Sequence, residues 1–184
     1  CIMFAGLSFY ALLTGTISTV LIERAQQLGD RAMDVNILED HIVICGWNDD
    51  IFDILETLMC SNNRNILIIA EHPQQEIASP RVMLLQGNPS NKETLKTGQV
   101  DRAFSAIILS ERQDGHSSQD TDAKSILVAL ALNICNPDLH TTIELQNPEN
   151  IEHAQNAGVN DFITATAYQG ALLAQSASSP GVAK

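Results

Sequence analysis

Positive charge is scarce in this chain. Lys and Arg number 10 against 22 Asp and Glu in 184 residues, a net charge of −12 with His neutral. Such a surface repels phosphate backbones and argues against a nucleic-acid partner. Aromatics are equally thin at 4%, and the four cysteines show no tight spacing. That excludes a disulfide-stapled scaffold and a CxxC-type zinc site. Catalytic signatures are also missing. His41, His72, His116, His140 and His153 are scattered, and HExxH, GxSxG and GxxxxGK[ST] do not occur. Cys45 and Cys135 read as small core residues rather than nucleophiles. With no positioned catalytic pair, the chain does not read as an enzyme. At 45% hydrophobic residues it does not read as disordered either, and its length suits one domain with a buried core.

The first 22 residues, CIMFAGLSFYALLTGTISTVLI, carry no charge. As a helix rising 1.5 Å per residue they span about 33 Å, against roughly 30 Å for a bilayer hydrocarbon core. This predicts a transmembrane helix over residues 1–24. Thr14, Thr16, Ser18 and Thr19 fit if their hydroxyls bond back to carbonyls a turn earlier, facing a helix bundle or water. A signal peptide is the competing reading; it lacks a basic n-region and a small-residue cleavage site here. Gly6 and Gly15 suit close helix packing or a bend. The chain begins with Cys rather than Met and stops at Ser179-Pro180-Gly181 without a cap, so both ends read as truncations.

Residues 25–40 are polar and read as a linker. Short apolar runs then alternate with helical patterns: HIVIC (41–45), ILIIA (66–70), VMLL (82–85), AIIL (106–109), 141–145 and Phe162-Ile163 as strands. Helices are expected from Ile51, capped by Asn48 or Asp49, at 92–96, at 120–134, from Pro148 to Gly158, and at 168–177. Continuous rather than alternating apolar strands are those buried on both faces. The fold class that follows is α/β, a Rossmann-like doubly wound parallel sheet over residues 41–184, preceded by one transmembrane helix.

Ligands of such sheets bind at the carboxyl ends of the strands. The first turn is Gly46-Trp47-Asn48-Asp49-Asp50-Ile51. Of the GxGxxG fingerprint only the first Gly survives: Asn48 replaces the second and Ile51 the third. Asp49 and Asp50 crowd the helix N-terminus where a pyrophosphate would lie. Glu71 ends the second strand, where an acid holds ribose hydroxyls. Gly46, Trp47, Asn48 and Glu71, with Asn88 after the third strand and Ser110 after the fourth, form the candidate cleft for NAD or another adenine nucleotide. A degenerate fold or a different ligand is the alternative. A second candidate is acidic. Glu111, Asp114, Asp120 and Asp122 follow the fourth strand and Glu144 ends the fifth, so Glu111, Asp114 and Glu144 are candidate ligands for calcium or magnesium. The competing reading is a solvated acidic loop.

Several segments together resemble a known family: GLSFYALLTGTISTVLIER, HIVICGWN, LLQGNPSNKETL, IELQNPENIEHAQNAGVNDFI and ALLAQSASSPGVA. They resemble ligand-gated potassium channels carrying an RCK domain, related to the Trk N-terminal NAD-binding domain, over essentially the whole chain. The resemblance implies a tetrameric channel in the cell membrane, with residues 25–184 cytoplasmic and its Rossmann-like domains assembled into a gating ring. It makes residues 1–24 the inner pore helix, Gly6 its hinge and Ala11 part of the intracellular pore mouth. Two departures stand out. No TVGYG-type filter is present, so potassium is carried by the resemblance alone. At the calcium site of the calcium-gated members the matching positions are Ser110, Glu144 and Gln146, with one carboxylate among them.

The leading reading is a ligand-sensing gating module that drives pore opening or closing. A membrane-anchored NAD-dependent oxidoreductase and a Castor/Pollux-type cation channel are the alternatives. The alanine-rich helices 148–157 and 167–177 are the faces expected to pair in a homo-oligomer.

Overall fold

The structure, a computed structural model, describes residues 38–75, 77, 79–111 and 117–164. The predicted transmembrane helix with Gly6 and Ala11, nearly all of the linker, Asp114 and the last helix at 168–177 lie outside these residues.

Six strands form one parallel sheet: β1 Ile42–Cys45, β2 Ile66–Ala70, β3 Val82–Gln86, β4 Ser105–Ile108, β5 His140–Leu145 and β6 Asp161–Thr164. Their order is β3-β2-β1-β4-β5-β6, the doubly wound arrangement expected from the sequence. The switch point falls between β1 and β4. Four helices connect the strands: α1 Ile51–Ser61, α2 Lys92–Thr97, α3 Ser118–Cys135 and α4 Ile151–Asn156.

β1 and β2 are buried at every position. One face of the sheet, carrying Ile44, Ile66, Ile68 and Ala70, joins Trp47, Ile51 and Leu55 in a single apolar cluster under α1. The other face carries Leu67, Ile69 and Leu85, which close on Gly98 after α2; a Cβ there would sit 2.8 Å from Leu67 Cδ2. Helices cover both faces, which is why these strands read as unbroken apolar runs. Among the described residues no helix is long and apolar enough to cross a membrane.

Three local expectations shift. The N-cap of α1 is Asp50, whose side chain makes no capping bond; Asn48 contributes from outside the helix, its Oδ1 accepting Asp50 N–H at 3.1 Å. Pro148 opens a 3-10 turn, Pro148–Asn150, and α4 starts only at Ile151. The alanines of that segment are not a free face: Ala154 and Ala157 are buried within the domain, because a helix this short turns its few apolar residues to its own sheet. An exposed apolar stripe lies on α3 instead, where Leu127, Leu130 and Ile134 are 58%, 40% and 70% exposed.

The chain enters the sheet at a braced corner. Arg64 pairs with Asp40 at 3.1 Å and lies 3.6 Å over the Phe104 ring, while Arg102 pairs with Glu39 at 2.9 Å. His41 is buried, with Nε2 3.1 Å from the Gly98 carbonyl and Nδ1 without a partner.

Candidate ligand-binding site

The ends of β1, β2 and β4 are level. Cys45 pairs with Ile69 on one side and Ile108 on the other. The ladder runs one step further, with Gly46 N–H on Ile69 O and Leu109 N–H on Cys45 O, both at 2.9 Å. At Gly46 the backbone turns with φ +99°, and a Cβ there would lie 2.9 Å from Leu109 O. Only glycine combines that torsion with that approach.

Beyond this turn lies a cavity of about 220 Å³. Gly46, Glu71, Asn88 and Glu111 border it from the sheet side, over a floor that includes Ile108 and Leu109. Thr121, Lys124, Ser125 and Val128 border it from α3. Four of the residues expected at a ligand or metal site therefore share one cavity. Asn88 is locally fixed, its Oδ1 accepting Ser90 N–H at 2.8 Å and Ser90 Oγ–H at 2.6 Å. Trp47 does not line the cavity. Its indole is buried in the core and stands edge-on to Phe52, with ring centroids 6.1 Å apart.

Glu111 leans over the turn, its Oε1 accepting Trp47 N–H at 3.1 Å. Burial pushes its carboxyl above the ordinary 4.5. The Trp47 N–H pulls it back, the charge of Glu71 adds to the rise, and Lys124 and His72 oppose it. Burial likewise drives the Cys45 thiol up to about 12, with the Glu111 charge adding. Cys45 is thus a neutral core thiol, as its sequence context suggests.

Asn48, Ser110 and Glu144 belong to a separate network on the β5 side. Glu144 Oε2 accepts Asn48 Nδ2 at 2.9 Å and Ser110 N–H at 3.1 Å. Gln146 Nε2 donates to Ser110 Oγ at 2.9 Å and reaches Glu144 Oε1 at 3.5 Å. Ser110 and Asn48 are therefore structural partners of Glu144 rather than walls of the cavity. A single carboxylate faced by three N–H donors does not fit calcium, which needs six to eight oxygens.

The rest of the acidic cluster disperses. Asp120 closes a capping box with Ser117 at the start of α3. Asp122 is fully buried and accepts Gln146 N–H at 2.8 Å, Asn147 N–H at 2.9 Å and Asn150 Nδ2 at 2.7 Å. Asp122 is therefore no solvated loop acid, since three N–H donors surround it, whereas Asp120 stays exposed with its carboxylate on the Ser117 N–H and O–H. Among the described residues no group of three or more His, Cys, Asp or Glu is placed to hold a metal ion. The wall contributed by α3 (Thr121, Lys124 and Ser125) was not foreseen. Its only sequence trace is a polar residue every third or fourth position on one helix face.

Sheet order and the positive-φ glycine at the end of β1 define a Rossmann-like domain whose first turn departs from the GxGxxG fingerprint. Residues 37–143 match the family model for the calcium-activated potassium channel slowpoke-like RCK domain, and the chain belongs to that family. It is 26% identical over 186 residues to the calcium-gated potassium channel TvoK of Thermoplasma volcanium, covering 98% of this chain and 52% of that protein. To the ion channel POLLUX of Lotus japonicus it is 25% identical over 198 residues, covering 97% of this chain and 21% of that one. The chain thus spans about half of TvoK and a smaller share of POLLUX. Among solved structures, the TrkA-N domain of the Escherichia coli inner membrane protein ybaL superposes with a TM-score of 0.64 at 14% identity, over 76% of this chain and 97% of that one. The GsuK channel bound to NAD superposes with a TM-score of 0.55 at 16% identity, over 69% of this chain and 22% of that one. At these identities the superpositions establish the fold alone.

Proposed function

We propose that this chain is the ligand-sensing gating module and inner pore helix of a potassium channel. In that reading residues 1–24 span the cell membrane, residues 25–184 are cytoplasmic, and four copies assemble a gating ring. The carrying observation is the cleft: in a domain of the RCK family, Gly46 at the end of β1 and Glu71 at the end of β2 border one cavity at the switch point. The ligand is an adenine nucleoside or nucleotide, with Glu71 accepting its ribose hydroxyls. NAD in the GsuK channel supports this class of ligand.

The mechanism is a shift between two ring geometries, set by the difference in ligand affinity between them. The ligand acts at the carboxyl ends of the strands, and the linker enters at their amino ends. The pairs Arg64–Asp40 and Arg102–Glu39 tie that entry to the sheet, a coupling suited to transmitting force. The apolar stripe Leu127, Leu130 and Ile134 on α3 supports pairing between copies. Family membership favours a channel over an anchored oxidoreductase. A Pollux-type cation channel is the second reading, favoured by the match to POLLUX over nearly the whole chain.

Calorimetry on the whole chain in detergent, with NAD, ADP and calcium offered singly and together, tests the ligand. Binding that Glu71→Ala abolishes supports the cleft. Equal binding by the two proteins refutes the assignment of Glu71.

A further inference from the structure

The turn that would meet a nucleotide phosphate already holds an acid of this chain. Glu111 Oε1 takes Trp47 N–H at 3.1 Å. Its Cγ and Oε1 lie 3.3 Å and 3.5 Å from where a Gly46 Cβ would stand, so the carboxylate covers the glycine turn. Neighbouring amides are engaged as well: Gly46 N–H on Ile69 O at 2.9 Å, Asp50 N–H on Asn48 Oδ1 at 3.1 Å and Ile51 N–H on Asn48 O at 3.4 Å. An incoming phosphate finds these four donors in use and meets the charge of Glu111 at the turn, with Glu71 on the same cavity and Lys124 the opposing charge on its α3 wall. Backbone N–H groups at such a turn are what bind phosphate in this architecture. Here an internal carboxylate takes that role.

The remaining cavity suits a small, uncharged ligand. At about 220 Å³ it falls below the roughly 300–1,000 Å³ of sites for drug-sized molecules. Its apolar floor can hold a base, and the hydroxyls of Thr121 and Ser125, which donate to helix carbonyls, are left as acceptors for sugar or base N–H and O–H groups.

We propose that Glu111 is the specificity-determining residue of the cleft, an internal stand-in for phosphate that makes the site select an adenine nucleoside over the corresponding nucleotide. This rests on reading the cavity as a nucleoside-type site. A phosphorylated ligand binds only by displacing the Glu111 carboxylate from the Trp47 amide, and it does so against like charge.

The chain's single tryptophan is Trp47, so its fluorescence reports on the turn. Adenosine, AMP and ADP are titrated against the whole chain in detergent, as wild type, Glu111→Gln and Glu111→Ala. Wild type is expected to bind adenosine at least about tenfold more tightly than ADP, since like charges brought together cost several kcal/mol. Glu111→Gln removes the charge but keeps an acceptor on Trp47 and narrows that gap. Glu111→Ala removes both and narrows it further, the readout being the adenosine-to-ADP ratio within each protein. An adenosine-to-ADP ratio that is the same in all three proteins, or a wild type that prefers ADP, overturns the role of Glu111 while leaving the cleft in place. Absence of binding by any of the three ligands to any of the three proteins overturns the nucleoside-type reading itself, and this proposal with it.

Discussion

Asn48 and Glu144, 96 positions apart in the chain, are joined by a 2.9 Å hydrogen bond from Asn48 Nδ2 to Glu144 Oε2. The bond ties the turn after β1 to the end of β5, and the same oxygen takes Ser110 N–H from the end of β4. One carboxylate thereby fixes the relative positions of three strand ends around the switch point. Its partners are N–H donors that folding has already drawn partly out of water.

Removing that carboxylate takes the acceptor from Asn48 Nδ2 and Ser110 N–H, while Gln146 Nε2 keeps Ser110 Oγ. Each unsatisfied buried polar group costs about 1–3 kcal/mol, so Glu144→Ala should destabilise the domain by at least about 2 kcal/mol. Urea unfolding followed by circular dichroism measures this. A loss near zero would mean that water replaces Glu144 and that the network does not organise the strand ends.

Gly46→Ala is expected to damage both fold and cleft. The backbone sits at φ +99° and the added methyl would stand 2.9 Å from the Leu109 carbonyl oxygen. Backbone strain of this kind costs about 1–3 kcal/mol. Unfolding free energy and Trp47 fluorescence should change together. A variant as stable as wild type, with an unaltered spectrum, contradicts the geometry of the turn.

The sheet was legible because its strands are continuous β-branched runs. IVIC and ILIIA allow no other burial, and even the marginal β6 announced itself through Phe162-Ile163. Gly46 and Glu71 were legible for a related reason, since position at a strand end is a property of the sequence. The acids were not. Asp120 and Asp122 are neighbours in sequence, yet helical geometry sends one to cap its own helix and the other into the interior beneath residues 146–150. Proximity along a helix is not proximity in space. Lys124 and Ser125 escaped notice because only the packing of α3 decides which of its polar residues face the cleft. Nor could any pattern show that Glu111 folds back onto Trp47, a matter of loop conformation.

Cysteine accessibility offers a direct check on the interior. Cys60 is exposed, whereas Cys45 is 1% exposed with its thiol held up to about 12. Only the thiolate reacts. Under native conditions a maleimide should label Cys60 within minutes and leave Cys45 intact until the domain unfolds, as read by mass spectrometry of peptides. Labelling of both at similar rates would show that β1 is not central.

Self-association should map to α3. Leu127, Leu130 and Ile134 place three exposed apolar side chains at helical spacing on one face. Charged substitution at the more exposed of these, Leu127→Glu with Ile134→Glu, should shift sedimentation toward monomer with little change in thermal midpoint. A wild type that is strictly monomeric at high micromolar concentration counts against the gating ring.

The pH dependence of stability should hide two opposing contributions. His41 is buried with Nε2 on the Gly98 carbonyl and Nδ1 facing no acceptor. Burial lowers its affinity for a proton below the ordinary 6.5, while the Gly98 carbonyl, Asp101 and Asp40 pull the other way. A base depressed in the folded state binds more protons unfolded, so its contribution is full above 6.5 and is lost as pH falls through the lowered value. Glu111 is an acid raised above 4.5. Its folded form holds the proton longer, so its contribution is full below 4.5 and is lost as pH rises through the raised value. Between about 4.5 and 6.5 acidification therefore weakens the fold through His41 and strengthens it through Glu111, and the wild-type profile is flattened. Each single variant unmasks the other group. Glu111→Gln should lose stability more steeply than wild type as pH falls below 6.5, and His41→Gln should gain stability over the same range even if its fold is weaker throughout. Urea midpoints in half-unit steps from pH 4.5 to 7.5 test this, and two variants running parallel to wild type across that window would exclude both assignments.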